Sequence, residues 1–105
     1  MDALSDQYIW GAHESITVSS TAVGFTSTTR TPTTGDFKNM TARIAHCMVE
    51  TDNIRYRVDG TNPTSTTGHL KYASSEFYIM GTTAIKKFRA IRTSTDATLK
   101  VNYGW

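Results

Sequence analysis

Ile54-Arg55-Tyr56-Arg57-Val58-Asp59-Gly60 is the stretch whose reading decides the fold. Successive side chains of an extended chain point to opposite sides, so Ile54, Tyr56 and Val58 share one face and Arg55 and Arg57 the other. Asp59-Gly60 ends the run with a turn, because Gly accepts positive φ without steric cost and Asp tolerates it. The stretch is therefore a half-buried strand with a tight exit, and a strand of that kind needs partners.

The flanking sequence supplies them. Upstream, Met40 to Glu50 is the longest strand candidate. Met40, Ala42, Ile44 and Met48 occupy one face and Ala45, Cys47 and Val49 the other, which predicts a central strand covered on both sides. The short link Thr51-Asp52-Asn53 predicts a hairpin between that strand and the Ile54 strand. Earlier still, Ile16 and Val18 alternate with Thr17 and Ser19 within His13 to Ser20, and a short strand around Ala22 to Ser27 carries Val23 and Phe25. Ser27 to Asp36 reads as a loop or weak edge strand, since Pro32 removes a ladder donor and Gly35-Asp36 marks a turn.

Downstream, Thr61 to Gly68 is a loop by every local sign, followed by short strands at His69 to Ala73 and Glu76 to Met80. Thr82 to Lys86 is a turn that holds Ile85 against the core. Phe88 to Thr93 and Ala97 to Tyr103 read as a final hairpin joined by Ser94-Thr95-Asp96. Its last strand alternates Ala97, Leu99, Val101 and Tyr103 with Thr98, Lys100 and Asn102. Seven or eight short strands predict an all-β fold: one small antiparallel β-sandwich, jelly-roll-like, over residues 13–105, with residues 1–12 as an extended N-terminal segment. The expected core is Ile44, Ile54, Tyr56, Val58, Leu70, Ile79, Phe88, Leu99 and Val101.

Composition agrees with that class. Of 105 residues, 19% are charged and 38% hydrophobic, both below globular averages, and Thr makes up the difference at close to one residue in five. Thr is β-branched and suits pleated, half-exposed surfaces. The net charge of +2 is mild, and the cations are interleaved with apolar residues instead of forming the dense stripe of a nucleic-acid binder, so no nucleic-acid partner is expected. No apolar run approaches the ~20 residues that span a bilayer, so no membrane partner is expected either. Met1 to Trp10 lacks the basic region and apolar core of a signal peptide, which predicts synthesis and folding in a cytoplasm.

Motifs for chemistry are missing from the sequence. His13, His46 and His69 follow no metal-ligand spacing, and adjacent His46 and Cys47 on a strand face opposite ways. There is no nucleophile elbow and no phosphate loop, and the carboxylates fall mostly in turns. The expectation is a non-enzymatic protein with no catalytic, cofactor or metal site. Aromatic residues near both termini suggest an interface instead, with Tyr8, Ile9, Trp10 and Trp105 as its candidate residues.

Several stretches taken together resemble a group of small proteins encoded among the structural genes of tailed bacteriophages. They are Ile16-Thr17-Val18 with Ala22-Val23-Gly24-Phe25-Thr26, the Ile54 to Gly60 stretch, Pro63-Thr64, Gly68-His69-Leu70, Phe88-Arg89-Ala90-Ile91-Arg92, and Thr95 to Tyr103. The likeness spans roughly residues 14 to 103. It implies a virion component without fixing its position. The expected role is a capsid decoration, or cement, protein that stabilises the head by binding across major capsid protein subunits, as a homo-oligomer with a trimer favoured. The alternatives are a tail, collar or fibre-attached component, and a glycan- or receptor-binding module.

Overall fold

The computed structural model describes residues 8–105. Seven strands and two short helices follow in the order β1 (Trp10–Val18), α1 (Ser27–Arg30), β2 (Ile44–Glu50), β3 (Ile54–Arg57), β4 (His69–Lys71), β5 (Glu76–Met80), α2 (Thr82–Lys87), β6 (Arg89–Arg92) and β7 (Ala97–Gly104). They form two antiparallel sheets, one ordered β1-β7-β2-β5 and the other β4-β3-β6. The sheets pack face to face as an all-β sandwich. Of the expected N-terminal extension, residues 1–7, Leu4 among them, lie outside the described residues. Trp10 to Ala12 belong to β1.

The core is built from period-two faces. From β7, Ala97, Leu99, Val101 and Tyr103 point inward, beside Ile16 and Val18 of β1 and Ala45, Cys47 and Val49 of β2. The opposing sheet contributes Ile54, Tyr56 and Ala90. An aromatic run bridges the layers: Tyr56 stacks on Phe77 with centroids 4.8 Å apart, Phe25 stacks on Phe88 at 4.1 Å, and Tyr103 meets Phe25 edge-on at 5.4 Å. Ile85 of α2 is fully buried in the same cluster. Each large apolar side chain so buried contributes roughly 1.5–3 kcal/mol. Burial also holds the Cys47 thiol well above its ordinary pKa, so it stays protonated.

Most of the expected core is present. Ile54, Ile79, Phe88, Leu99 and Val101 are in the core, Tyr56 and Val58 pack on it half-buried, and Leu70 is half-exposed. Ile44 is also buried, but on the outer side of the four-stranded sheet and outside the core cluster. Leu70 faces outward because it lies opposite Arg55 in the β3–β4 register, which puts it on the solvent side.

Three local expectations are corrected. Residues 40–43 are not strand, and β2 starts at Ile44. The Ala22 to Ser27 stretch makes one bridge, Val23 to Ala90, instead of a strand. Most consequentially, Thr51-Asp52-Asn53 and Ser94-Thr95-Asp96 are not hairpin turns. β2 and β3 lie in different sheets, as do β6 and β7, so both links are arches between layers.

A third link, between β4 and β5, crosses the layers in the same way. The three arches meet at one end of the sandwich around Asp52 and Asn53. The Asp52 carboxylate accepts hydrogen bonds from the Thr95 amide (2.9 Å), the Ser94 hydroxyl (2.9 Å), the Thr95 hydroxyl (2.5 Å) and the Asn53 amide (2.7 Å). Those donors favour its charged form and hold its pKa far below the usual carboxylate range, the Thr95 hydroxyl contributing most. Asn53 accepts the Ala73 amide on its side chain (2.9 Å) and the Thr93 amide on its carbonyl (3.3 Å). Across the same arches, Ser74 N–H donates to the Val49 carbonyl at 2.7 Å.

Candidate functional site on the outer face of the four-stranded sheet

One face of the four-stranded sheet is core, and the other faces solvent. The register places outward residues in rows across β1, β7, β2 and β5. The first row is Trp10–Gly104–Ile44–Met80, and the second is His13–Asn102–His46–Tyr78. The third is Ser15–Lys100–Met48–Glu76.

The first row is apolar because of two local devices. Gly11 is the extra residue of a bulge in β1, which sends Trp10 outward and Ala12 inward. A side chain at Gly11 would collide with Phe37 at 2.9 Å and Trp105 at 3.2 Å. Gly104 is the second. A Cβ there would meet Ile44 Cγ2 at 2.7 Å, Tyr8 Cβ at 3.2 Å and Trp10 Cε3 at 3.3 Å, so these side chains close over the glycine. The Arg43 guanidinium lies 4.9 Å from the Tyr8 ring centroid, a cation–π contact, and the Tyr8 and Trp10 rings are 6.4 Å apart.

Four of the six exposed large apolar side chains lie in or beside this row, while Met40 and Tyr72 are exposed outside it. Ile9 is 63% exposed, Met80 51%, Tyr78 39% and Trp10 37%. Large apolar side chains scattered singly over a surface are ordinary, but Trp10, Met80 and Tyr78 share one end of one rigid face, and such a patch marks an interaction surface. Below it the face turns polar. His46 stacks on Tyr78 (4.8 Å, 20°) and its Nε2 is 2.9 Å from the Glu76 carboxylate. Lys100 Nζ donates to Ser15 Oγ at 2.7 Å.

The four interface residues expected from sequence are thus brought to one end of the molecule, but they divide. Tyr8 and Trp10 lie on the outer face, and Ile9 is exposed at the entry to β1. Trp105 is 5% exposed, stacked on Phe37 at 4.7 Å, and its Nε1–H donates to the Met40 carbonyl at 2.7 Å. It is an internal anchor, and it holds the others in place: Ile9 N–H donates to Trp105 O at 2.8 Å and Trp105 N–H to Ile9 O at 2.9 Å. Sequence reasoning missed Met80 and Tyr78 as exposed members of this face and Ile44 as the buried residue beneath it. The outward parity of Met80 and Tyr78 was legible, but their place on the same sheet face as Trp10, across β7 and β2, depends on a sheet order no local signal carries.

Among the described residues, no three His, Cys, Asp or Glu side chains gather where a metal could bind. His13 and His46 share the second row but are separated by the β7 strand between them, and His69 lies against Tyr56 on the other sheet. Comparison with known protein families, curated proteins and solved structures gave no match. Fold and site together define a small all-β sandwich with an apolar, aromatic row on one outer face.

Proposed function

We propose that this chain is a non-enzymatic virion structural protein of a tailed bacteriophage, acting as a capsid decoration protein. The observation that carries the reading is the Trp10–Gly104–Ile44–Met80 row, taken with the resemblance of residues 14–103 to phage structural-gene products. An apolar patch on a rigid sheet suits docking against another protein, and repeated docking on a lattice makes weak single contacts add up. In this reading the exposed residues of this face, Trp10, Met80 and Tyr78, with Tyr8 and Ile9, contact the major capsid protein or a neighbouring copy in a homotrimer. Any closed ring of copies needs a heterologous interface.

Quantitative mass spectrometry of purified particles tests the role. A ratio to the major capsid protein near one, or a simple fraction of it, is expected of decoration. A few copies per particle would mean a tail, collar or fibre-attached component, and absence would remove the virion reading. One observation favours a second reading, a glycan-binding module: the Tyr78 and Trp10 rings lie beside the polar His13, Asn102 and His46, a mixture that can stack on and hydrogen-bond a sugar. Glycan-array binding lost on Tyr78→Ala would support it.

A further inference from the structure

The opposite face of the sandwich is chemically different. On β3, Ile54 and Tyr56 point into the core, so Arg55 and Arg57 point to solvent. Arg89 of β6 sits directly opposite Arg57 in the register, with Ala90 buried beside it. Lys86 and Lys87, both exposed, close α2, one residue (Phe88) before β6. The Lys87 stem lies against the Asp59-Gly60 turn, its Cδ 3.9 Å from where a Gly60 Cβ would be. Four of these cations therefore share one outer surface, and exposed Lys86 adjoins them, its carbonyl accepting from Arg89 at 3.4 Å.

One carboxylate answers them. Asp59 pairs with Arg57 at 2.5 Å. The other ion pairs among the described residues are His46–Glu76 and Arg92–Asp96. Arg55 is fastened to the carbonyls of Ser65 (3.1 Å) and Gly68 (3.0 Å), and Arg89 donates to the Phe88 carbonyl at 2.7 Å. Carbonyl contacts orient a guanidinium without cancelling its charge. Cations at the end of a helix favour its dipole, which accounts for Lys86 and Lys87 in part. It does not account for Arg57 facing Arg89, because like charges directly opposite on neighbouring strands destabilise a sheet. Asp59 compensates Arg57 in part, but Arg89, Lys86 and Lys87 have no carboxylate partner among the described residues, and unpaired like charges gathered on one surface are expected where that surface serves a partner.

We propose that this face, centred on Arg57, Arg89, Lys86 and Lys87, binds a carboxylate-rich protein surface. Charge complementarity supplies the sign of the partner. Half-exposed Leu70 and Ile91, both opposite Arg55, interleave aliphatic side chains with the arginines, and that mixture suits a protein interface better than a phosphate track. The inference stands on these charges alone and holds whatever the aromatic face docks to.

The test is fluorescence anisotropy of the isolated protein with a labelled oligoglutamate peptide, at about 50 and about 200 mM salt. A single-stranded oligonucleotide of equal charge is run in parallel. Binding to the peptide is expected, weakening as salt rises. Lys87→Glu should reduce it about fivefold, whereas Lys38→Glu, which makes the same change of net charge in the 31–43 loop, should reduce it less than about twofold. Thermal melts confirm that both variants fold. No binding at low salt, equal losses in the two variants, or tighter binding of the oligonucleotide than of the peptide would each overturn the proposal.

Discussion

Glu14 is a carboxylate on the inward side of β1, and its partners make it the most informative place to perturb the sandwich. The Tyr103 hydroxyl donates to its Oε2 at 2.5 Å, the Thr26 amide donates to the same oxygen at 3.2 Å, and the Thr26 hydroxyl donates to Oε1 at 2.5 Å. The group thus ties the segment that carries Phe25 to an edge strand. An inward-pointing charge is also a known guard against edge-to-edge pairing. Tyr103→Phe keeps the ring that packs on Phe25 and removes one hydrogen bond to a charged acceptor, which costs about 1.5–3 kcal/mol. Because Glu14 is only partly buried and keeps both Thr26 donors, the lower end applies. At about 4–8 °C per kcal/mol for a domain near this size, the melting temperature should fall by roughly 6–12 °C. Glu14→Ala should cost more, since it strands the Tyr103 hydroxyl at full burial and releases Thr26. Once that hydroxyl is gone there is nothing left to strand, so the double variant should lose less than the sum of the singles by about 1–2 kcal/mol. Urea denaturation of the four proteins measures this directly. A Tyr103→Phe melt within about 2 °C of wild type, or additivity within about 0.5 kcal/mol, would refute the account.

The same tyrosine carries a pH signature. Burial first, and then the Glu14 carboxylate, hold its phenol far above the ordinary range. The native state therefore keeps a proton that the unfolded chain releases, so stability is full below about pH 10 and falls as pH rises beyond it. Tyr103→Phe should show a shallower alkaline loss. Asp52 has the opposite sign. Its hydrogen-bonded carboxylate favours the folded state at neutral pH, and the melting-temperature gap between wild type and Asp52→Ala should shrink as pH falls below about 4. Trp105→Ala should cost about 3–5 kcal/mol by emptying a core site. Trp10→Ala should cost far less stability while weakening whatever the outer face binds, and chemical melts set beside particle-binding assays separate the two. Finally, Cys47 should resist thiol reagents until the protein is unfolded, because its sulfur is both buried and protonated, and colorimetric titration with and without urea checks this.

Period-two alternation is a local property, and it was readable without any structure. The Leu99 strand, the Ile54 strand with its arginines outside, and the Asp59-Gly60 turn all stand where the residues put them. The turn closes with the Thr61 amide on Asp59 at 3.1 Å and Gly60 at φ +85°. These features depend only on which way neighbouring side chains point and which residues tolerate left-handed backbone. Sheet membership is different. An inward-facing strand is satisfied by either layer, and three or four linking residues can close a hairpin or cross between layers equally well. What decides for arches is the Asp52–Asn53 cluster, whose donors come from residues some twenty to forty positions away. The fate of the two tryptophans is tertiary for the same reason. Trp10 and Trp105 are both terminal aromatics in the sequence. Only the Gly11 bulge, the Phe37 stack and the Met40 carbonyl send one outward and the other into the core, because burial is fixed by what lies across the sheet and not by what lies next in the chain.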